Sequence, residues 1–286
     1  MILDAILDTI LDSIKLLPFL FITYLAMEFL EHKASEKTEE IVRRSGKWGP
    51  LMGSLLGVVP QCGFSTAGAN LYAGRIISRG TLIAIFLSTS DEMLPILISE
   101  KMKASVIITI IVIKILIGMA VGFAIDIISE RHIRIKSKGQ VAEDIHHLCD
   151  NEHCKCDDGN FFLSAVSHTI QVFVFILIIS LVLNIAIGVI GEEHIAILIS
   201  NNGVLSVFLS AIVGLIPNCA ASVVISEMFA EGFLSFGAMM SGLLTGSGVG
   251  LLVLFKVNDD IKENLKILGI LYGIGVVVGL LLLLIM

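Results

Sequence analysis

The sequence predicts an all-α, polytopic membrane protein built from two inverted repeats. Each repeat has one span, a re-entrant broken hairpin and two further spans, ten helices when hairpin arms are counted. Three observations predict this. The first is composition: 56% of the 286 residues are hydrophobic and mean hydropathy is +0.94, well above the roughly 45–50% apolar content of soluble domains. The second is an internal duplication. Sliding the chain against itself by 157 residues pairs Gly57 with Gly214, Pro60 with Pro217, Cys62 with Cys219, Ser65 with Ser222, Gly80 with Gly237 and Ser90 with Ser247, and, without a gap, Gly118 with Gly275 and Gly122 with Gly279. Chance similarity between apolar segments aligns Leu with Val rather than Gly, Pro, Cys and Ser, so the repeat is genuine. The third is that both copies interrupt a long apolar run with a helix breaker, Pro60 to Ser65 and Pro217 to Ser222.

Residues 1–31 are apolar, with Asp4, Asp8 and Asp12 on one helix face as a solvated outer end and the better span after Lys15. The N-terminus lacks a basic region and a small-residue cleavage site, so this helix is expected to stay attached. Residues 32–48 carry Lys33, Lys37, Arg43, Arg44 and Lys47. Short loops rich in Lys and Arg stay in the cytoplasm, which places the N-terminus outside. Between Gly49 and Gly74 the chain is apolar, but Pro60 splits it into pieces of about a dozen residues, whereas a span needs about 20. Arg75 and Arg79 follow it as Lys47 precedes it, so both ends of this hairpin are expected on the cytoplasmic side.

Residues 80–99 and 105–128 read as two ordinary spans, joined outside by a loop whose Lys101 and Lys103 run against the charge rule, and they end at Arg131, Arg134, Lys136 and Lys138. The plan then recurs, with a span at 161–190, a broken hairpin at 203–230, and spans at 235–256 and 266–286. An odd number of crossings per half inserts the second half upside down relative to the first, an architecture common among secondary transporters. The expected units are a first transmembrane repeat at 1–128, a cytoplasmic linker at 129–160 and a second repeat at 161–286.

Broken backbone within hydrocarbon is tolerated only where protein buries it or where it lines a wet cavity, because each unsatisfied amide or carbonyl costs several kcal/mol. The two tips are therefore expected to meet near the midplane. There they offer Gln61 and Asn218 amides, Cys62 and Cys219 thiols, and Ser65 and Ser222 hydroxyls. The competing account is that Pro, Gly and Ser shape the turns and the cysteines pack as small apolar groups. A second candidate is Ser88-Thr-Ser90-Asp91-Glu92, matched in the other copy by Thr245-Gly-Ser247-Gly-Val249. Ionisable groups at mid-depth cost at least about 2.5 kcal/mol each and mark pathways or pairs. Because the second copy lacks these acids, they belong to function rather than to the shared backbone. Lys114, whose counterpart is Leu271, is the expected counter-ion, and two acids facing one lysine leave one free to bind a cation or a proton. Asn70 and Glu227, at equivalent positions, and His168, Gln171 and Asn184 are weaker candidates.

The linker carries His146, His147, Cys149, His153, Cys154 and Cys156, six ligands within eleven residues. This donor set suits zinc, copper(I) or a trivalent arsenical rather than magnesium or calcium. A solvated polar loop that happens to be Cys-rich is the plainer account. The net charge of −7 excludes a nucleic-acid partner. Two of the five cysteines sit in apolar segments and three in the linker, which is no secreted disulfide framework. No nucleotide-binding, HExxH or CxxC motif is present, so neither an ATPase nor a protease is indicated, and a thiol oxidoreductase using Cys62 and Cys219 lacks the usual spacing.

With these residues in hand, Pro60-Gln-Cys-Gly-Phe-Ser65, Ser88-Thr-Ser-Asp-Glu-Met-Leu-Pro95, Pro217-Asn-Cys219 and the His/Cys linker resemble the ten-helix heavy-metal exporter family, whose members are labelled arsenic efflux proteins or manganese transporters. The resemblance covers essentially the whole chain. It implies an inner-membrane exporter of a metal or metalloid. The expectation is a proton-coupled secondary transporter, not an enzyme, with no tightly bound cofactor beyond its cargo and a metal at the linker. Lipid, the cargo ion, protons and a second copy in a homodimer are its expected partners. A metal-responsive membrane sensor is the alternative, though a sensor has no need of paired broken helices.

Overall fold

The structure, a computed structural model, describes residues 14, 17–18, 21–22, 24–25, 48–59, 62–90, 93–129, 161–190 and 203–285. Among the described residues there is no strand, and the helices with defined bounds are α1 (Gly49–Gly57), α2 (Cys62–Ala73), α3 (Arg79–Ser88), α4 (Met93–Ser99), α5 (Ala104–Ser129), α6 (Phe161–Ile190), α7 (Gly203–Gly214), α8 (Cys219–Ala230), α9 (Phe236–Thr245), α10 (Val249–Val257) and α11 (Ile261–Ile285). Helices α2 and α3 start and stop at the residues that the duplication pairs with the ends of α8 and α9.

The local chemistry that sets these bounds is duplicated too. Ser78 caps α3 by accepting from the Thr81 amide at 3.1 Å, and Ser235 caps α9 by accepting from the Ala238 amide at 3.2 Å. Each satisfies a donor that the first turn leaves without a partner. Just before each cap the chain turns through a left-handed residue, Arg75 at φ 57° and Gly232 at φ 81°.

Close packing follows the same rule. A Cβ on Gly122 would lie 2.7 Å from the Gly80 carbonyl, and a Cβ on Gly279 would lie 2.7 Å from the Gly237 carbonyl. Lipid tails are as apolar as leucine, so helices in a bilayer associate through such small-residue contacts rather than through the hydrophobic effect. These contacts fasten α3 to α5 and α9 to α11, with α1 and α7 packed on α3 and α9.

Among the described residues, five segments are long and apolar enough to cross a membrane: Arg79–Ser99, Ala104–Ile128, Ala165–Val182, Phe236–Val257 and Ile261–Ile285. The first and fourth have 75% and 83% of their apolar window buried, against 22%, 33% and 28% for the others. The molecule thus has a centre made of α3–α4 and α9–α10, with α5, α6 and α11 presenting apolar side chains such as Leu116, Val174 and Leu281 outward.

Those two central segments correct the expectation of ordinary spans at 80–99 and 235–256, because both are interrupted. Helix α3 ends where Thr89 leaves the helical region (φ −53°, ψ 127°), and α9 ends at Gly246 (φ −69°, ψ 102°), with Gly248 in the left-handed region at φ 52°. Hydroxyls satisfy carbonyls at these ends. Ser88 Oγ donates to Ala84 O at 2.8 Å, Thr89 Oγ1 to Ile85 O at 2.8 Å, and Thr245 Oγ1 to Ala211 O at 3.0 Å. On restart, α4 accepts Pro95 because a first-turn position needs no amide donor. Helix α11 begins at Ile261, five residues earlier than expected, whereas α6 spans the expected 161–190.

Contact between the copies is reciprocal: α2 lies along α10, and α8, the counterpart of α2, packs on α4, the counterpart of α10. A charged cluster also joins the copies. Glu263, in the first turn of α11, accepts from Tyr72 Oη at 2.6 Å and from Arg75 Nη1 at 3.2 Å, and it pairs with Arg79.

Candidate functional site

The backbone breaks come together. A small pocket is lined by Thr89 and Ser90 from the α3–α4 break, by Gly214, Asn218, Ala221 and Ser222 around the second hairpin tip, and by Gly242, Leu243, Gly246 and Gly248 around the α9–α10 break. Its space is on the order of a single water. Both copies contribute walls, and the ends of α7 and α9 and the starts of α8 and α10 all border it.

Each wall residue is held by local structure. Asn218 is buried and caps α8, its Oδ1 accepting from the Ala220 amide at 3.4 Å. Ser222 Oγ donates to Cys219 O at 2.8 Å. Ser90 Oγ donates to Val58 O at 2.5 Å, which ties the first tip to the first break. Behind the wall, Lys114 is 1% exposed and its Nζ donates to the Leu243 carbonyl. That carbonyl lies in the last turn of α9, where the helix dipole places negative partial charge. A lysine Nζ from the first copy thus sits at a helix end of the second. The site combines hydroxyl, amide and carbonyl oxygens with helix-end dipoles, a set that coordinates a small cation or hydrogen-bonds a hydroxylated species.

Of the residues expected from sequence, the pocket gathers Ser90, Asn218 and Ser222, with Lys114 against its wall. Ser88 and Thr245 are fully buried, their hydroxyls engaged with helical carbonyls. Ser65 is fully buried against α10, since a Cβ on Gly250 would lie 2.7 Å from its Cβ. Cys219 and Ser247 are buried beside the pocket residues Asn218 and Gly248. Asn70 is buried and accepts from Tyr24 Oη at 3.0 Å, and Glu227 is half-buried on α8. Gln61, Asp91, Glu92, and the linker's His146, His147, Cys149, His153, Cys154 and Cys156 lie outside the described residues, as do the side chains of Cys62, His168, Gln171 and Asn184.

Sequence reasoning did not assign the Leu243 carbonyl or Gly242 to the site, nor did it single out Glu263. Gly246 and Gly248 inside an otherwise apolar run were the available signal for the α9–α10 break. For Glu263 the signal was faint, since it follows Asp259 and Asp260 in what reads as a solvated loop.

Fold and site together define a polytopic membrane protein whose two copies enclose a polar pocket between interrupted helices. The chain belongs to the family described as "Putative, 10TM heavy-metal exporter", whose model matches residues 2–189, about two thirds of the sequence. That family is a class of transporters, not of enzymes. Neither the curated proteins nor the solved structures contain a match to the chain.

Proposed function

We propose that the protein is a secondary active transporter that exports a heavy-metal ion or metalloid, an arsenite-like species or a divalent cation such as manganese, by proton-coupled alternating access. One observation carries this reading: the central pocket is walled by broken helices of both copies, so rocking one copy against the other would expose it to one side and then the other. Charge placement supports an inverted arrangement in the cell membrane with the N-terminus outside and the 129–160 linker in the cytoplasm. Glu263 and the Arg75–Arg79 segment, which the loop pattern puts on the same side, are ion-paired. In this reading Ser90, Asn218 and Ser222 contact cargo, with Gln61, Cys62 and Cys219 at the tips. The linker's six His and Cys residues collect metal on the cytoplasmic side.

Coupling is assigned to Asp91, Glu92 and Lys114. Asp91 and Glu92 directly follow pocket residue Ser90, and Lys114 borders the same wall. Purified protein in proteoliposomes under an imposed pH gradient, supplied in turn with manganese, zinc, cadmium, arsenite and antimonite, is expected to move at least one of them. Asp91→Asn with Glu92→Gln is expected to abolish the pH-driven component while the protein still folds, because Gly248 and Val249 occupy these positions in the other copy. No flux of any species by folded protein would reject export, and unchanged pH-driven flux in the double variant would reject these carboxylates.

A further inference from the structure

We propose that Tyr72, Arg75, Arg79 and Glu263 form an ionic latch closing the cytoplasmic mouth of the central pocket, and that the matched positions close the opposite mouth without charge. This rests on reading the pocket as the transport path. Helix α10 starts just after pocket residue Gly248 and runs nine residues, about 14 Å at 1.5 Å per residue, before α11 begins with Glu263 in its first turn. Along it lies α2, which ends just before Arg75. The latch therefore sits one half-helix from the pocket, where the two copies meet.

Its geometry is that of a clasp between copies. The Glu263 side chain is 11% exposed and engages three groups of the other copy: Tyr72 Oη at 2.6 Å, Arg75 Nη1 at 3.2 Å and the Arg79 guanidinium. Arg79 Nε also donates to Tyr72 Oη at 3.4 Å, and the Arg75 guanidinium lies 5.5 Å from the centre of the Tyr72 ring. Arg75 reaches this position from a left-handed backbone, φ 57°, which L-residues with a Cβ disfavour. Its counterpart is Gly232, the residue that conformation prefers.

The shared backbone does not require these charges. Tyr72, Arg75, Arg79 and Glu263 are matched by Phe229, Gly232, Phe236 and Val106. Phe229 and Phe236 meet edge to face, with ring centres 5.9 Å apart, at the far end of α8. One end is thus held by charge-assisted hydrogen bonds between copies, whereas the matched end carries an aromatic contact within the second copy.

The test reports pocket access, not transport. Ser222, which lines the pocket, is replaced by Cys in a full chain whose five native cysteines are Ala or Ser, and the rate of labelling by a membrane-impermeant maleimide is measured in inside-out and right-side-out vesicles. Glu263→Gln is expected to accelerate labelling in inside-out vesicles about fivefold or more, with right-side-out vesicles unchanged. Arg75→Gly is the folding-safe variant, because glycine is at ease at φ 57°, and it is expected to act in the same direction. Phe229→Ala is expected to accelerate labelling from the opposite side. Unchanged inside-out labelling in folded Arg75→Gly, or an equal rise on both sides, would overturn the latch. Labelling needs no cargo, so that failure would leave the proteoliposome result on export standing.

Discussion

The first copy, through α5, and the second, from α6 onward, share a backbone down to single hydrogen bonds yet differ in the chemistry they carry. Both use a serine to cap the helix after the hairpin, α3 or α9, a left-handed residue before it, and a glycine pressed on a glycine carbonyl. Only one places a buried lysine in its last helix, Lys114 against Leu271, and a Tyr-Arg-Arg set at the end of its second hairpin arm, where the other has Phe229, Gly232 and Phe236. The lesson is that backbone breaks can be supplied symmetrically by small residues and hydroxyls, while charge is added on one side for a task the scaffold does not impose.

Exchanging the unequal residues should break this comparison most severely. Leu271→Lys would bury a charge at a fully buried position that holds a leucine. It is expected to cost about 3–5 kcal/mol, seen as loss of folded protein in detergent thermal melts. The reverse change, Lys114→Leu, removes at least the donor to the Leu243 carbonyl and is expected to cost about 1–3 kcal/mol. Equal costs for the two exchanges would contradict the assigned asymmetry.

Where the copies are equal, matched changes should match. Gly80→Val and Gly237→Val each push a side chain into a facing glycine carbonyl, and each is expected to lose about 1–3 kcal/mol, with melting temperatures lowered alike. A tolerated valine in either copy would show that the close approach is not needed there.

The smallest effect sharpens the comparison. Ser235→Ala loses a cap worth about 1 kcal/mol. Ser78→Ala should lose about 1 kcal/mol more, because Ser78 Oγ also donates at 2.6 Å to Asp126, whose counterpart is Leu283. Urea or thermal titration of the two variants side by side measures the difference.

Much of the fold was legible because the residues that break helices are rare in apolar runs. Pro60 and Pro217 announced the tips, and paired glycines announced the close contacts. The breaks after Ser88 and Thr245 were less legible, since Ser, Thr and Gly are tolerated inside membrane helices and no proline stands at the break itself. Ser90, Asn218, Ser222 and Lys114, which lie at the pocket or against its wall, were legible because polar groups stand out against hydrocarbon. The Leu243 carbonyl was not, because a backbone atom at a leucine has no sequence signal, and Glu263 was hidden because its partners lie in the other copy, far away in the chain.

The central claim is that one backbone plan is inserted twice in opposite directions around a shared pocket. Single cysteines at the matched pairs Trp48 and Leu205, and Ile76 and Phe233, test it directly. Trp48, Leu205 and Phe233 are 64%, 51% and 61% exposed, and membrane-impermeant labelling of intact cells and of inside-out vesicles assigns each a side. Cysteines at 48 and 76 are predicted to react only from the cytoplasm, and those at 205 and 233 only from outside. Labelling of all four from one side would contradict the account.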